Sequence, residues 1–115
     1  MTAAYRWCVL YVDTPDPATL VPVVADLLGP ADHLAVFRVP GFTVDVRRNP
    51  DRTRGPHHLD WPSTVDIDAT GDVPDDTVVS FVTTLIDHLH AAGLRVAADC
   101  DFTAALPPPD TRPAD

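Results

Sequence analysis

The side chains with chemical capacity fall into three groups: two histidine and acid runs, two thiols, and a large set of aspartates. His57-His58-Leu59-Asp60 and Asp87-His88-Leu89-His90 offer the imidazoles and carboxylates that zinc, iron or copper would take. Their spacing argues against a shared ion. On a helix His88 and His90 point about 200° apart, whereas two ligands of one ion want i, i+3 or i, i+4 spacing. Histidines in a last helical turn are explained by the negative end of the helix dipole, so no metal site is expected. Cys8 and Cys100 read as reduced, buried thiols, and Asp99 and Asp101 beside Cys100 disfavour its thiolate, making it a poor nucleophile. There is no Gly-rich phosphate loop, nucleophile elbow or Ser/His/Asp signature, and five glycines leave little material for one. A paired-carboxylate acid/base site is weighed against solvated carboxylates on a sheet face, which are commoner. Neither a catalytic set nor a cofactor is expected.

The elements that must position these groups come from a chain of 115 residues, 45% apolar, enough for one core. Residues 1–106 read as a single α+β domain and 107–115 as a proline-rich flexible tail. Seventeen aspartates and eight arginines, with no Glu, Lys or Gln, give a formal charge of −9. That charge repels phosphate backbones and anionic lipid and favours a basic partner, so neither nucleic acid nor membrane is expected as a ligand. No apolar run approaches the roughly 18 residues of a bilayer span, and no signal-peptide core precedes the first strand, which reads as cytoplasmic.

Tyr5 to Val12 is β-branched and aromatic and predicts a first strand. Asp16 followed by Pro17 marks a helix start, and Leu20, Val23, Val24, Leu27 and Leu28 form its apolar face before Gly29-Pro30. Pro22 requires either a start near Thr19 or a kink. Leu34–Val39 and Phe42–Arg48 read as extended, and Pro40-Gly41 between them is either a tight turn or a bulge, the bulge being slightly favoured because a type II turn twists the wrong way for a two-residue loop; a true hairpin would add a strand to the sheet. A long connection over 49–63 precedes a strand at 64–68. Asp72 to Gly93 is the strongest helix, and Arg95 to Cys100 the last strand. The order β-α-β-β-α-β predicts a ferredoxin-like sandwich, an antiparallel sheet with two helices on one face.

Parity then divides the sheet. Phe42, Val44, Val46, Val65, Ile67, Val96, Ala98 and Cys100, with Cys8, Leu10 and Val12, face the helices. Tyr5, Trp7, Val9 and Tyr11 face the other way among Asp45, Arg47, Asp66, Asp68, Asp99 and Asp101. An aromatic stripe ringed by aspartates is a recognition surface for a cationic protein or for a second copy in a homodimer. The competing possibility is that these aromatics are buried under the tail and the long connection. The stretch Arg47–Pro62, which runs into that connection, holds four of the eight arginines, with Trp61 as its expected anchor.

The stretch from Trp61-Pro62 through Val65-Asp66-Ile67-Asp68 to Ala98-Asp99-Cys100-Asp101-Phe102, in a small acidic chain without catalytic motifs, resembles the immunity proteins that neutralise bacterial toxins. The resemblance implies a basic toxin or effector as partner, contacted by Tyr5, Trp7, Trp61, Asp66, Asp68, Asp99 and Asp101. Two alternatives carry different expectations. A small dimeric ferredoxin-like enzyme, similar to cofactor-independent monooxygenases, would show an enclosed pocket with His33, His57 or Trp61 at its mouth; a small-molecule sensor would show a ligand site at the helix edge.

Overall fold

The computed structural model describes residues 6–32, 34–49, 61–100 and 102–106. Five strands, β1 (Trp7–Val12), β2 (Val36–Val39), β3 (Phe42–Arg48), β4 (Ser63–Ala69) and β5 (Val96–Asp99), form one sheet in the order β2-β3-β4-β1-β5. Every neighbouring pair is antiparallel. Because β4 and β5 both run against β1, they are parallel to each other, and α2 (Asp75–Ala91) makes the crossover between them. The class is α+β with two helices, as expected, but the sheet has a fifth strand and its order departs from the four-stranded pattern.

The extra strand comes from Pro40-Gly41, which is a hairpin and not a bulge: Val39 pairs with Phe42 across a two-residue turn. Gly41 has φ +86°, the left-handed value that the third residue of a type II turn requires. The unfavourable twist of that turn is held by tertiary contact, since the Thr70 amide donates to the Gly41 carbonyl at 2.8 Å. A Cβ on Gly41 would also press on Val73 Cγ2 at 3.2 Å. Gly41→Ala should therefore lower the unfolding free energy by about 1–2 kcal/mol in urea denaturation. An unchanged midpoint would mean the turn relaxes freely.

Helix α1 (Leu20–Leu28) resolves the Pro22 ambiguity in favour of a late start. A single 3-10 turn at Pro17–Thr19 comes first, with the Asp16 carboxylate accepting from the Ala18 amide at 3.0 Å. Pro22 thus lies in the first turn of α1, where the missing amide hydrogen has no intrahelical partner to lose. Strand β2 starts at Val36, two residues later than its apolar run. The Asp32 carboxylate takes the Leu34 and Val36 amides, and Ala35 turns to φ +61°, leaving Leu34 66% exposed.

The helix-facing parity is as expected. Leu20 and Val24 of α1 and Val78, Val82, Leu85, Ile86 and Leu89 of α2 are buried in one cluster with Cys8, Leu10, Val12, Phe37, Phe42, Val44, Val46, Val65, Ile67 and Val96. Each such side chain contributes on the order of 1.5–3 kcal/mol by leaving water. The His88 ring bridges the helices through Nε2 to the Val23 carbonyl at 2.8 Å. His88 therefore has a structural contact in the turn where the helix dipole alone was expected to hold it.

Candidate functional site: the acidic face of the sheet

The register arranges the uncovered face as three rows running across the strands. Arg38, Thr43, Asp68 and Trp7 form the first, and Val36, Asp45, Asp66, Val9 and Asp99 the second. Arg47, Thr64, Tyr11 and Ala97 form the third. Side chains alternate faces along a strand, so each row lies on the side away from the helices. Asp68 thus stands directly opposite Trp7, and Asp66 and Asp99 directly opposite Val9, with Asp45 one strand further along the same row.

The face has an open end and a covered end. Trp7 is 46% exposed, Asp68 and Asp99 are exposed, and Val9 is half-buried. At the other end Thr64 and Ala97 are buried despite their outward parity. Trp61 is fully buried as well, outside the main core cluster. It cannot serve as the exposed interface anchor the sequence proposed. Its neighbourhood is built for burial: the Asn49 amide donates to the Pro62 carbonyl at 2.8 Å, and Asn49 Nδ2 to the Trp61 carbonyl at 2.7 Å. The Ser63 hydroxyl donates to the Thr14 carbonyl at 2.9 Å, tying the start of β4 to the end of β1. Polar groups satisfied in this way allow the whole segment to leave water.

The electrostatics of the second row are unfavourable for folding alone. Asp45 and Asp66 are direct cross-strand partners, a placement in which like charges repel. Arg47 offsets part of this, reaching Asp45 at 2.6 Å and Asp66 at 3.9 Å. Burial nevertheless pushes the Asp66 carboxyl above its ordinary value; Arg47 opposes the shift, and Asp45 and Asp68 add to it. The other arginine of the face, Arg38, is engaged by Asp32. Among the described residues, no ion pair involves Asp68 or Asp99.

The two carboxyl shifts have opposite consequences for acid stability. Hydrogen bonds from Arg38, then from the Leu34 and Val36 amides, hold Asp32 down at about 2. The stability it contributes is complete above the unfolded value of 3.8 and is lost as pH falls through about 2. Asp66 is raised, so its ionisation opposes folding above its folded value, and protonation relieves that penalty on the way down. Urea midpoints should therefore hold between neutral and mildly acidic pH and drop below 3.8. Asp32→Asn should flatten that final drop; an equally steep loss in the variant would exclude Asp32 as its source.

Tyr5 and Asp101 lie outside the described residues, as do His33, His57, His58, Asp60 and the tail. Among the described residues no three His, Cys, Asp or Glu groups gather as a metal site, and no helix is long and apolar enough to cross a membrane. A groove of about 540 Å³ lies on the helix side, lined by residues that the sequence does not single out for a ligand site. Leu27, Leu28, Phe42 and Phe81 form its apolar floor, and Asp76 and Ser80 are on its polar wall. The Phe42 and Phe81 rings stack at 3.9 Å, only 5° from parallel. Spacing alone could not show it, because Phe42 reaches the groove only through the sheet register. No protein-family model, characterised protein or solved structure matches this chain.

Proposed function

We propose that this chain is a non-catalytic protein-binding domain that docks a basic protein on the open end of its acidic sheet face. An immunity-type inhibitor, which occludes the cationic surface of a toxin or effector, is the form of this reading that best fits a small chain of charge −9. The observation that carries it is the row Asp45, Asp66, Val9, Asp99 beside exposed Trp7. Folding gains nothing from opposing Asp45 to Asp66, and a cationic partner would relieve the repulsion. Trp7 supplies the large apolar contact that interface centres use, and the aspartates supply steering and register. The residues that carry the contact are Trp7, Asp66, Asp68 and Asp99.

In the same reading β3, β4, β1 and β5 form a ferredoxin-like core with β2 added at its edge. Titration with a fluorescently labelled arginine-rich peptide, followed by the anisotropy of its label, tests the docking claim. Affinity should fall about tenfold between about 0.05 and 0.3 M salt and more than tenfold in Trp7→Ala. Binding indifferent to Trp7 would contradict the assignment.

The helix-side groove supports a second reading, a small-molecule sensor. Its apolar floor and the Asp76 carboxylate suit an arylalkyl amine whose ring lies on Phe81 and whose ammonium meets Asp76. Saturable phenethylamine shifts at Leu27 and Thr84, abolished by Ser80→Trp, would support it; unsaturable shifts would not.

A further inference from the structure

The two thiols, for which the sequence favours the reduced form over a bridge, meet in the fold. The β1–β5 register pairs Leu10 with Ala98 and Val9 with Asp99, and one further step sets Cys8 opposite Cys100. Both share the parity of Leu10 and Ala98, so both side chains lie on the helix-covered face. Cys8 is buried in the core, and half-buried Cys100 packs against the same cluster. Both are free thiols.

We infer that Cys8 and Cys100 are a cross-strand dithiol that a small disulfide oxidant closes into an intramolecular bond, clamping the edge strand β5 to β1. Directly opposed residues of an antiparallel pair have Cα atoms about 4.5 or 5.5 Å apart, and both separations fall within the roughly 4.4–6.8 Å a disulfide accepts. Closure therefore needs a change of side-chain rotamer and little movement of backbone.

Exposure orders the steps. Cys100, a poor nucleophile by its sequence neighbours, is nevertheless the thiol that solvent reaches; its thiolate attacks one sulfur of the oxidant, forming a mixed disulfide and releasing one thiolate. Cys8 then loses its proton and attacks the Cys100 sulfur, breaking the mixed disulfide and expelling the second thiolate, which takes up the proton. Two protein thiols are oxidised and one oxidant disulfide is reduced to two thiols. The second step is the slow one, because burial pushes the Cys8 thiol up and Cys100 and Asp99 add to the shift. Closure should accordingly speed up as pH rises. The bond would span nearly the whole chain and fix the strand that carries Asp99, whichever partner the acidic face takes.

Incubating the folded protein with oxidised glutathione, then alkylating and digesting it, tests this directly. The expected product is a monomer about 2 Da lighter with Cys8 and Cys100 peptides joined. Its melting midpoint should rise on the order of 10 °C and return on reduction. Cys8→Ala should stop at a glutathione adduct on Cys100, which shows that Cys100 is open to the oxidant and that Cys8 is the thiol that resolves the adduct. A stable adduct on Cys100 in the wild type would overturn the inference. So would disulfide-linked dimers, or two thiols still free after the Cys8→Ala adduct has formed completely.

Discussion

Trp61→Ala should lower the unfolding free energy by about 3–5 kcal/mol, whereas Trp7→Ala should change it by less than about 0.5 kcal/mol. The two tryptophans look equivalent as candidate interface anchors, and their surroundings separate them. Trp61 is fully buried, and the segment around it is held by Asn49, which donates to both the Trp61 and the Pro62 carbonyls. Removing the ring leaves a cavity beside groups already withdrawn from water, which the surroundings fill only in part. Trp7 stands nearly half exposed on the open end of the face. Its loss should be felt in binding and hardly in folding. Urea denaturation of both variants reads this contrast. A Trp61 variant within 0.5 kcal/mol of wild type would show that its burial contributes little to folding.

Replacing Asp66, Asp68 and Asp99 together by Asn should weaken binding of a cationic peptide by about 10- to 100-fold, at roughly 0.5–1 kcal/mol for each charge. The matched control is Asp72, Asp75 and Asp76 to Asn at the start of α2, which removes the same charge from the helix side. If the face is the docking surface, the control loses far less affinity and keeps the steeper salt dependence. Equal losses in the two variants would reduce the effect to net charge. The face variant should not unfold more easily. Burial holds Asp66 above its ordinary value and Asp45 repels it, so neutralising Asp66 removes an ionisation that opposes folding, while the lost Arg47 contact is partly exposed and weak. A site that binds better with its charges and folds as well without them is the signature of a functional surface.

How much of this was legible in the chain depends on which force decides each element. Strand β3 and its facing were readable because Phe42, Val44 and Val46 alternate with Thr43, Asp45 and Arg47, and a one-residue slip would have buried the charges. The stripe of α2 was equally plain. The Pro40-Gly41 hairpin was not, because local turn preference argues against it and a hydrogen bond from Thr70, distant in sequence, decides it. The late start of β2, past Leu34-Ala35, follows from Asp32 capturing two amides while Arg38 holds its carboxylate. An Asp with an Arg six residues later is a weak signal that could have been weighed. The acidic residues of the candidate site were named from parity alone, and Asp66, Asp68 and Asp99 stand where parity placed them. Parity cannot say what lies over a face. It therefore gave no warning that Trp61, Thr64 and Ala97 would be buried while Trp7 stays open. Nor could it pair Cys8 with Cys100, since that pairing depends on which strand lies beside β1 and in what register.

The most direct test of the central claim is where a cationic ligand lands. Backbone amide shifts of the labelled protein, followed during titration with an arginine-rich peptide, distinguish the acidic surfaces in one experiment. The account predicts the largest and saturable shifts at Trp7, Val9, Asp66, Asp68 and Asp99, with the start of α2 little affected. Shifts concentrated at Asp72, Asp75 and Asp76, with the sheet face silent, would contradict it.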